Sequence, residues 1–270
     1  MSADFELVLV GGGRMGGALV RGWLAHGWSP SAIRIIEPDA SRADELRTEL
    51  GVAVVASPGS LSGVAAYLVI AVKPQMMAEV LPTLAPILAS DSLFISIAAG
   101  TKIAMFEQMF GGSTPVVRAM PNTPAAIGAG ISVLCANRNV QPAQREMATT
   151  LLAAVGDVEW VDDEHHMHAV TGLSGSGPAY VFALVEALAK AGAEAGLPGD
   201  LAMKMARQTV IGSGQLMAAD PSAAPTLRRN VTSPGGTTAA ALERLLAKDG
   251  IDRLMSETLA AAIARSKALA

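Results

Sequence analysis

The sequence predicts an α/β protein in two parts: a doubly wound, mainly parallel sheet in the N-terminal part, then an all-α C-terminal part. Three observations carry this reading. From residue 5 to 161 short β-branched runs alternate with helical patterns, as in parallel strands covered on both faces. Beyond Ser176 almost everything fits a helical period. Between the two stands the run 171–182, Thr-Gly-Leu-Ser-Gly-Ser-Gly-Pro-Ala-Tyr-Val-Phe, a candidate hinge. Its glycines allow close backbone approach, Ser176 is the expected N-cap, and Pro178 suits the first turn of the helix it opens.

Composition bounds the function. With 270 residues, 51% hydrophobic and 16% charged, the chain can build a full core. A net charge of −4 gives no electrostatic footprint for nucleic acid or an acidic membrane. The longest apolar run, 64–72, falls far short of the roughly 20 residues of a spanning helix. Residues 1–6 lack the basic start and apolar stretch of a leader, so a cytoplasmic location is expected. The lone cysteine, Cys135, sits in an apolar run and is expected to be a buried small hydrophobe.

Taken in order, residues 5–10 form an apolar strand signal, followed by Gly11-Gly12-Gly13-Arg14-Met15-Gly16 and a helical pattern through Leu19, Val20, Trp23 and Leu24. Gly11, Gly13 and Gly16 have G-x-G-x-x-G spacing in the strand-turn-helix context that a Rossmann-type dinucleotide site requires. The first glycine permits the turn, the second admits a pyrophosphate to the backbone, and the third lets helix and strand pack closely. The helix start then offers N–H groups and a positive dipole end to phosphate. Residues 32–36 form a second strand ending in Glu37-Pro38. An acid about 20 residues beyond the loop hydrogen-bonds the adenosine ribose and repels a 2′-phosphate, so Glu37 favours NADH over NADPH. Arg42 is near enough in sequence to contact a phosphate, and a solvated turn is the plain alternative for Glu37.

The alternation continues through a helix at 41–50 and strands at 52–55 and 67–72, the latter stopping at Lys73-Pro74. A helical stretch at 75–88 is punctuated by Pro82 and Pro86. Strands at 93–97 and 116–118 end in Ala98-Ala99-Gly100 and Met120-Pro121-Asn122-Thr123-Pro124. In open parallel sheets ligands bind beyond the carboxyl ends of the strands. One edge therefore gathers the glycine loop, Glu37, Val72-Lys73-Pro74, Ala98-Ala99-Gly100 and Asn122, which together read as a cofactor crevice. A strand at 130–135, a helix at 142–155 and a strand at 156–161 close this part. Asp162-Asp163-Glu164-His165-His166-Met167-His168 invites a metal reading, but adjacent histidines diverge on a helix and no second ligand cluster exists. It is read as the polar first turn of the inter-domain helix, with no metal.

Helices are expected at 178–195 and 200–217, rich in Ala, Gly and Met and poor in charge. Such a pair leaves more apolar surface than a small lone domain would expose, so a subunit interface is expected to cover it. The last motif is Asn230-Val231-Thr232-Ser233-Pro234-Gly235-Gly236-Thr237-Thr238, running into a helix at 239–248. Glycines just before a helix expose successive N–H groups, a cradle for a carboxylate, and the hydroxyls of Ser233, Thr237 and Thr238 add donors. This is the candidate substrate site.

With these motifs in hand, the whole chain resembles the pyrroline-5-carboxylate reductase family. Gly-Gly-Gly-Arg-Met-Gly, Val72-Lys73-Pro74, Ala98-Ala99-Gly100 and the runs 120–124, 171–180 and 231–238 occur in that family's order and spacing. The resemblance implies a dinucleotide-binding Rossmann domain at 1–161 and a helical dimerisation and substrate-binding domain at 162–270. The implied reaction is NAD(P)H-dependent hydride transfer to the imine carbon of 1-pyrroline-5-carboxylate, giving L-proline. The implied active site lies between the cofactor of one subunit and the helical domain of its mate, in homodimers that assemble into decamers in many members. It further implies that Gly236, Thr237 and Thr238 hold the substrate carboxylate, with Gly235 and Asn230 also substrate-binding, and that Thr238 or Ser233 hydrogen-bonds the ring nitrogen. Asn230 and Glu164 match positions near bound ligands. The family commonly accepts NADPH, against the pull of Glu37 toward NADH.

Three residues depart from the family pattern: Pro58 where Asn is frequent at the cofactor, and Ala66 and His168 where Asp is common. Two rivals are distinguishable. Hydroxyacid dehydrogenases of the 6-phosphogluconate type share the glycine start but carry a catalytic lysine near the start of the hinge helix, and residues 178–189 contain none. A non-catalytic nucleotide-binding protein would not need the intact 233–238 cradle.

Overall fold

The computed structural model describes residues 5–270; residues 1–4, part of the segment examined for a leader, lie outside the described residues. Eight strands form one sheet in the order β3-β2-β1-β4-β5-β6-β7-β8. They are β1 (Leu7–Val10), β2 (Ile33–Ile36), β3 (Ala53–Val55), β4 (Ala65–Ile70), β5 (Leu88–Ser96), β6 (Val116–Met120), β7 (Gly130–Ala136) and β8 (Gly156–Trp160). β1 to β6 are mutually parallel in the doubly wound order 3-2-1-4-5-6. β7 runs antiparallel to β6, and β8 follows β7.

Period-two alternation sorts the strand side chains into two cores. Leu7, Leu9, Ile33, Ile35 and Ile95 meet Leu19, Val20 and Trp23 of α1 (Arg14–Ala25), Leu46 of α2 (Ala40–Leu50) and Leu151 and Leu152 of α5 (Pro142–Ala153). Val8, Val10, Leu68, Ile70 and Phe94 face the other way, onto Met77 and Leu81 of α3 (Met77–Leu84) and Ile103 and Phe106 of α4 (Ile103–Phe110). Burying any one of these larger side chains is worth about 1.5–3 kcal/mol. Trp23 adds a directional tie, its indole N–H donating to Leu151 O at 2.8 Å across α1 and α5. Cys135 is buried in the second core, and burial pushes its thiol up to about 11, so it behaves as an inert apolar group.

Contacts divide the chain into two compact units, residues 1–175 with 263–270, and residues 176–262. The first unit thus extends past the 161/162 border expected from sequence. The reason is packing: Glu164 pairs with the buried Arg118 of β6, and Met167 of α6 (Met167–Val170) enters the second core. A π-helical turn, Thr171–Gly175, follows α6 directly. Ser176 then precedes α7 (Gly177–Glu194) in helical conformation, φ −88° and ψ −20°, with no side-chain cap bond. The expected N-cap role fails because the chain arrives already helical, and a cap needs extended backbone. Pro178 does stand in the first turn of α7.

The second unit is helical throughout. α7 packs on α8 (Gly199–Ala219), where Gly192 lets Ala202 Cβ approach; α9 (Ala224–Asn230), α10 (Thr237–Leu245) and the part of α11 (Ile251–Ala268) up to residue 262 follow. Large apolar side chains stand exposed over this unit, among them Phe182 (63%), Leu216 (51%), Met217 (55%) and Leu254 (57%). None of the helices among the described residues is long and apolar enough to cross a membrane.

Candidate active site

The switch point of the sheet lies between β1 and β4, and a cleft of about 310 Å³ opens there at the carboxyl ends of the strands. Of the residues expected to bind cofactor, Gly11, Gly13, Glu37, Val72 and Lys73 line it. Ala56, Pro58, Met76, Glu79, Val80 and Thr83 also line it. Pro58 therefore does face the cleft from the position where it departs from the family pattern. Pro74 opens the turn that leads into α3.

The glycine loop is shaped by close approach. Gly11 has φ +98°, and a Cβ there would press on Ala71 O at 3.0 Å; a Cβ on the buried Gly16 would strike Gly11 O at 2.2 Å. Gly13, by contrast, faces open space and is the N-cap of α1, so a phosphate can come up to the backbone where the first N–H groups of Arg14, Met15 and Gly16 lack partners inside the helix. These residues fit a dinucleotide pyrophosphate.

Gly12 has its own reason to be glycine, one the fingerprint spacing did not supply. A Cβ there would meet Leu46 Cδ1 at 2.3 Å and Glu37 Oε2 at 3.1 Å. Its peptide is held on both sides. Glu37 Oε2 accepts the Gly12 N–H at 2.8 Å, and Arg42 donates from Nε to Gly12 O, also at 2.8 Å. Glu37 Oε1 accepts from Asp39 N–H at 3.0 Å, and Arg42 also reaches Glu45 at 2.8 Å. Glu37 is thus fixed at the mouth of the cleft by two backbone donors.

Further along the edge, Ala98, Ala99 and Gly100 follow β5, with Gly100 at φ +78° and buried against Leu269 O of the returning C-terminal segment. Glu164, expected near ligands, is committed inside the fold. Its Oε1 accepts from Arg118 at 2.8 Å and from Ile103 N–H at 3.0 Å, the latter at the start of α4. The buried Arg118 was missed by sequence reasoning, although a charged residue inside a five-residue apolar strand was its visible sign. Asn122, expected to touch cofactor, has both ends of its amide engaged: Nδ2 donates to Ser174 O at 3.2 Å, and Oδ1 accepts from Ile131 N–H at 3.0 Å.

His168 is buried and hydrogen-bonds Ser266 Oγ through Nδ1 at 3.0 Å. Burial, then the cations Arg118, Lys267, His165 and Lys102, hold its pKa below the ordinary histidine value. Among the described residues no cluster of His, Cys, Asp and Glu is placed to hold a metal ion.

In the second unit the 230–238 run forms a turn. Gly235 has φ +69°, and Gly236, the N-cap of α10, donates its N–H to Ser233 O at 3.1 Å. Gly236 therefore closes the loop, and the donors unsatisfied within the helix begin at Thr237 and Thr238. A Cβ on Gly236 would meet Ser233 Oγ at 2.6 Å. Asn230, Ser233, Gly235 and Thr237 are exposed, and Gly236 and Thr238 half-buried.

Comparison with known proteins agrees with both units. A family model described as pyrroline-5-carboxylate reductase dimerisation matches residues 164–269, and one described as NADP oxidoreductase, coenzyme F420-dependent, matches residues 6–100. A pyrroline-5-carboxylate reductase of Pseudomonas aeruginosa is 41% identical over 265 residues, covering 98% of this chain and 97% of the relative. Among solved structures, a pyrroline-5-carboxylate reductase from Coxiella burnetii superposes with a TM-score of 0.92 at 34% identity, covering 99% of each chain. A pyrroline carboxylate reductase from Plasmodium falciparum, with NADP bound, gives a TM-score of 0.82 at 30% identity over 100% of this chain and 99% of that one.

Proposed function

The chain belongs to the pyrroline-5-carboxylate reductase family, and from that premise we propose that it reduces the imine of 1-pyrroline-5-carboxylate with NAD(P)H, giving L-proline. The observation that carries the reading is the coexistence of two built sites: the glycine-lined cleft at the sheet switch point and the glycine-capped start of α10. One fits a dinucleotide and the other a small carboxylate.

Gly11, Gly13 and the first turn of α1 hold the pyrophosphate, Glu37 the adenosine ribose, and Val72 and Lys73 wall the nucleotide. When bound, the reduced nicotinamide supplies the hydride that the imine carbon receives. The N–H groups of Thr237 and Thr238 bind the substrate carboxylate, with Gly235 and Gly236 setting the turn that presents them. Thr238 or Ser233 hydrogen-bonds the ring nitrogen, and Asn230 belongs to the same substrate-binding set. A protonated imine is already electrophilic, so this chain has to position and desolvate more than to supply a strong acid. The fixed carboxylate of Glu37 favours NADH over NADPH.

The reading includes a homodimer, assembled through the exposed apolar faces of α7, α8 and α11, and a decamer built of five such dimers. A dimerisation-family match over residues 164–269 supports the first step. A cytoplasmic setting accords with a lone buried thiol.

The test is oxidation of NADH and of NADPH by purified protein with 1-pyrroline-5-carboxylate, repeated with Thr238→Ala. Turnover that falls in the variant supports the reading. Absence of turnover with either cofactor, in a folded oligomer, sinks it.

A further inference from the structure

We propose that Asn122 is a positioning residue that supplies the hydrogen bond Pro178 withholds from the helix, so that β6 pins the π turn at the exit of the first unit. In a continuous α-helix the carbonyl of Ser174 would accept from the N–H of residue 178, four positions on. Residue 178 is proline and has no N–H. Asn122 Nδ2 donates to that carbonyl instead, at 3.2 Å. The amide orientation follows from its partners: Ile131 N–H needs an acceptor and receives Oδ1, at 3.0 Å, which leaves Nδ2 for the Ser174 carbonyl.

The same turn is patched elsewhere by side chains. Thr171 Oγ1 donates to Met167 O at 2.7 Å and Ser174 Oγ to Val170 O at 3.0 Å, each reaching from the π turn to a carbonyl four residues back in α6. Gly175 leaves room for Met120, whose Cε lies 2.5 Å from where a Cβ would stand. Met120 and Asn122 come from the end of β6 and the turn after it, on the edge of the cofactor crevice. A π turn in a helix is a recurrent mark of functional sites. Here it ends at Gly175, the last residue of the first unit before Ser176, with Met120 packed against it from the crevice edge. Hydride transfer tolerates little misplacement, so loosening this pin acts on kcat.

The kinetic part of the test rests on the reductase reading; the stability part does not. Asn122→Asp keeps an acceptor for Ile131 but cannot donate to Ser174. It is expected to lower kcat by about tenfold or more while leaving the KM for cofactor within about twofold. Pro178→Ala restores an N–H at position 178 and should recover most of the lost kcat in the double variant. In thermal unfolding, the loss caused by Asn122→Asp should shrink in the Pro178→Ala background, a non-additivity expected only of coupled groups. A raised cofactor KM with kcat intact, indifferent to Pro178→Ala, would make Asn122 a direct cofactor contact and overturn the proposal. So would equal thermal losses in both backgrounds. If the wild-type chain turns nothing over, the reductase reading fails while the unfolding cycle still decides the pin.

Discussion

Glu37 Oε2 accepts the backbone N–H of Gly12 at 2.8 Å, so the acid after β2 and the middle glycine of the loop after β1 form one hydrogen-bonded unit. With Asp39 N–H on the other carboxylate oxygen, Glu37 cannot swing aside without losing two charge-assisted bonds. Arg42 is drawn to Gly12 O and Glu45 rather than left for a ligand. In the proposed reading, a carboxylate fixed this way disfavours a cofactor that carries a 2′-phosphate.

Glu37→Gln is expected to narrow or invert cofactor preference. The KM for NADH should rise by about tenfold, equivalent to about 1.4 kcal/mol, and that for NADPH should fall. Steady-state kinetics with both cofactors checks this. Equal changes for the two would mean that Glu37 merely shapes the loop.

Much of this site was legible in the sequence because its signals are local. Glycine spacing, an acid at the end of the second strand and a glycine turn before α10 each fall within a few residues, and the structure builds the loops they implied. What stayed hidden depends on partners far apart in the chain. Arg118 finds Glu164 across 46 positions, and Asn122 finds Ser174 across 52. The eight-residue helix α4 carries only a weak sequence signal, being little more than two turns between Gly100 and Gly111. The contact border at 175/176 differs from the expected 161/162 for a similar reason. Polar residues after β8 look like a linker, whereas Glu164 and Met167 are anchored by β6 and the second core.

At the substrate cradle, Gly236→Ala should act differently from Thr238→Ala. The added Cβ would meet Ser233 Oγ at 2.6 Å and Ser233 O at 3.2 Å, so the Ser233 hydroxyl must turn away and the loop before Thr237 shift by a few tenths of an ångström. Its expected effect is a raised KM for 1-pyrroline-5-carboxylate. If the Thr238 hydroxyl meets the ring nitrogen as proposed, Thr238→Ala should lower kcat by about a hundredfold, with partial retention in Thr238→Ser. Similar kcat and KM changes in both variants would count against this division of roles.

His168 predicts an acid limit on stability. Its folded pKa lies below the ordinary histidine value, because burial and the cations Arg118, Lys267, His165 and Lys102 oppose its charge. An unfolded chain therefore binds a proton as pH falls through about 6.5 while the folded chain does not, and stability drops as pH falls through that window. Above it the histidine is neutral in both states and contributes no slope. Thermal midpoints measured from pH 7.5 to 5 should fall more steeply for wild type than for His168→Asn, which cannot titrate. Parallel curves would mean that other groups set the acid limit.

The exposed apolar faces of the helical unit make the last prediction. Phe182 on α7 is 63% exposed and Leu216 on α8 51%, with Met217 and Leu254 similarly open. Apolar surface of this extent on a single chain marks an association site, and its burial contributes about 25 cal/mol per Å². Phe182→Glu with Leu216→Glu should place charges where a second copy is expected to pack. Burying them unpaired costs several kcal/mol, enough to shift a micromolar sample from dimer to monomer. Sedimentation velocity reads the mass. Because a carboxylate at either exposed position leaves the core of the monomer untouched, circular dichroism should remain helical while the oligomer is lost. A sample that stays dimeric would move the interface to another face of the unit.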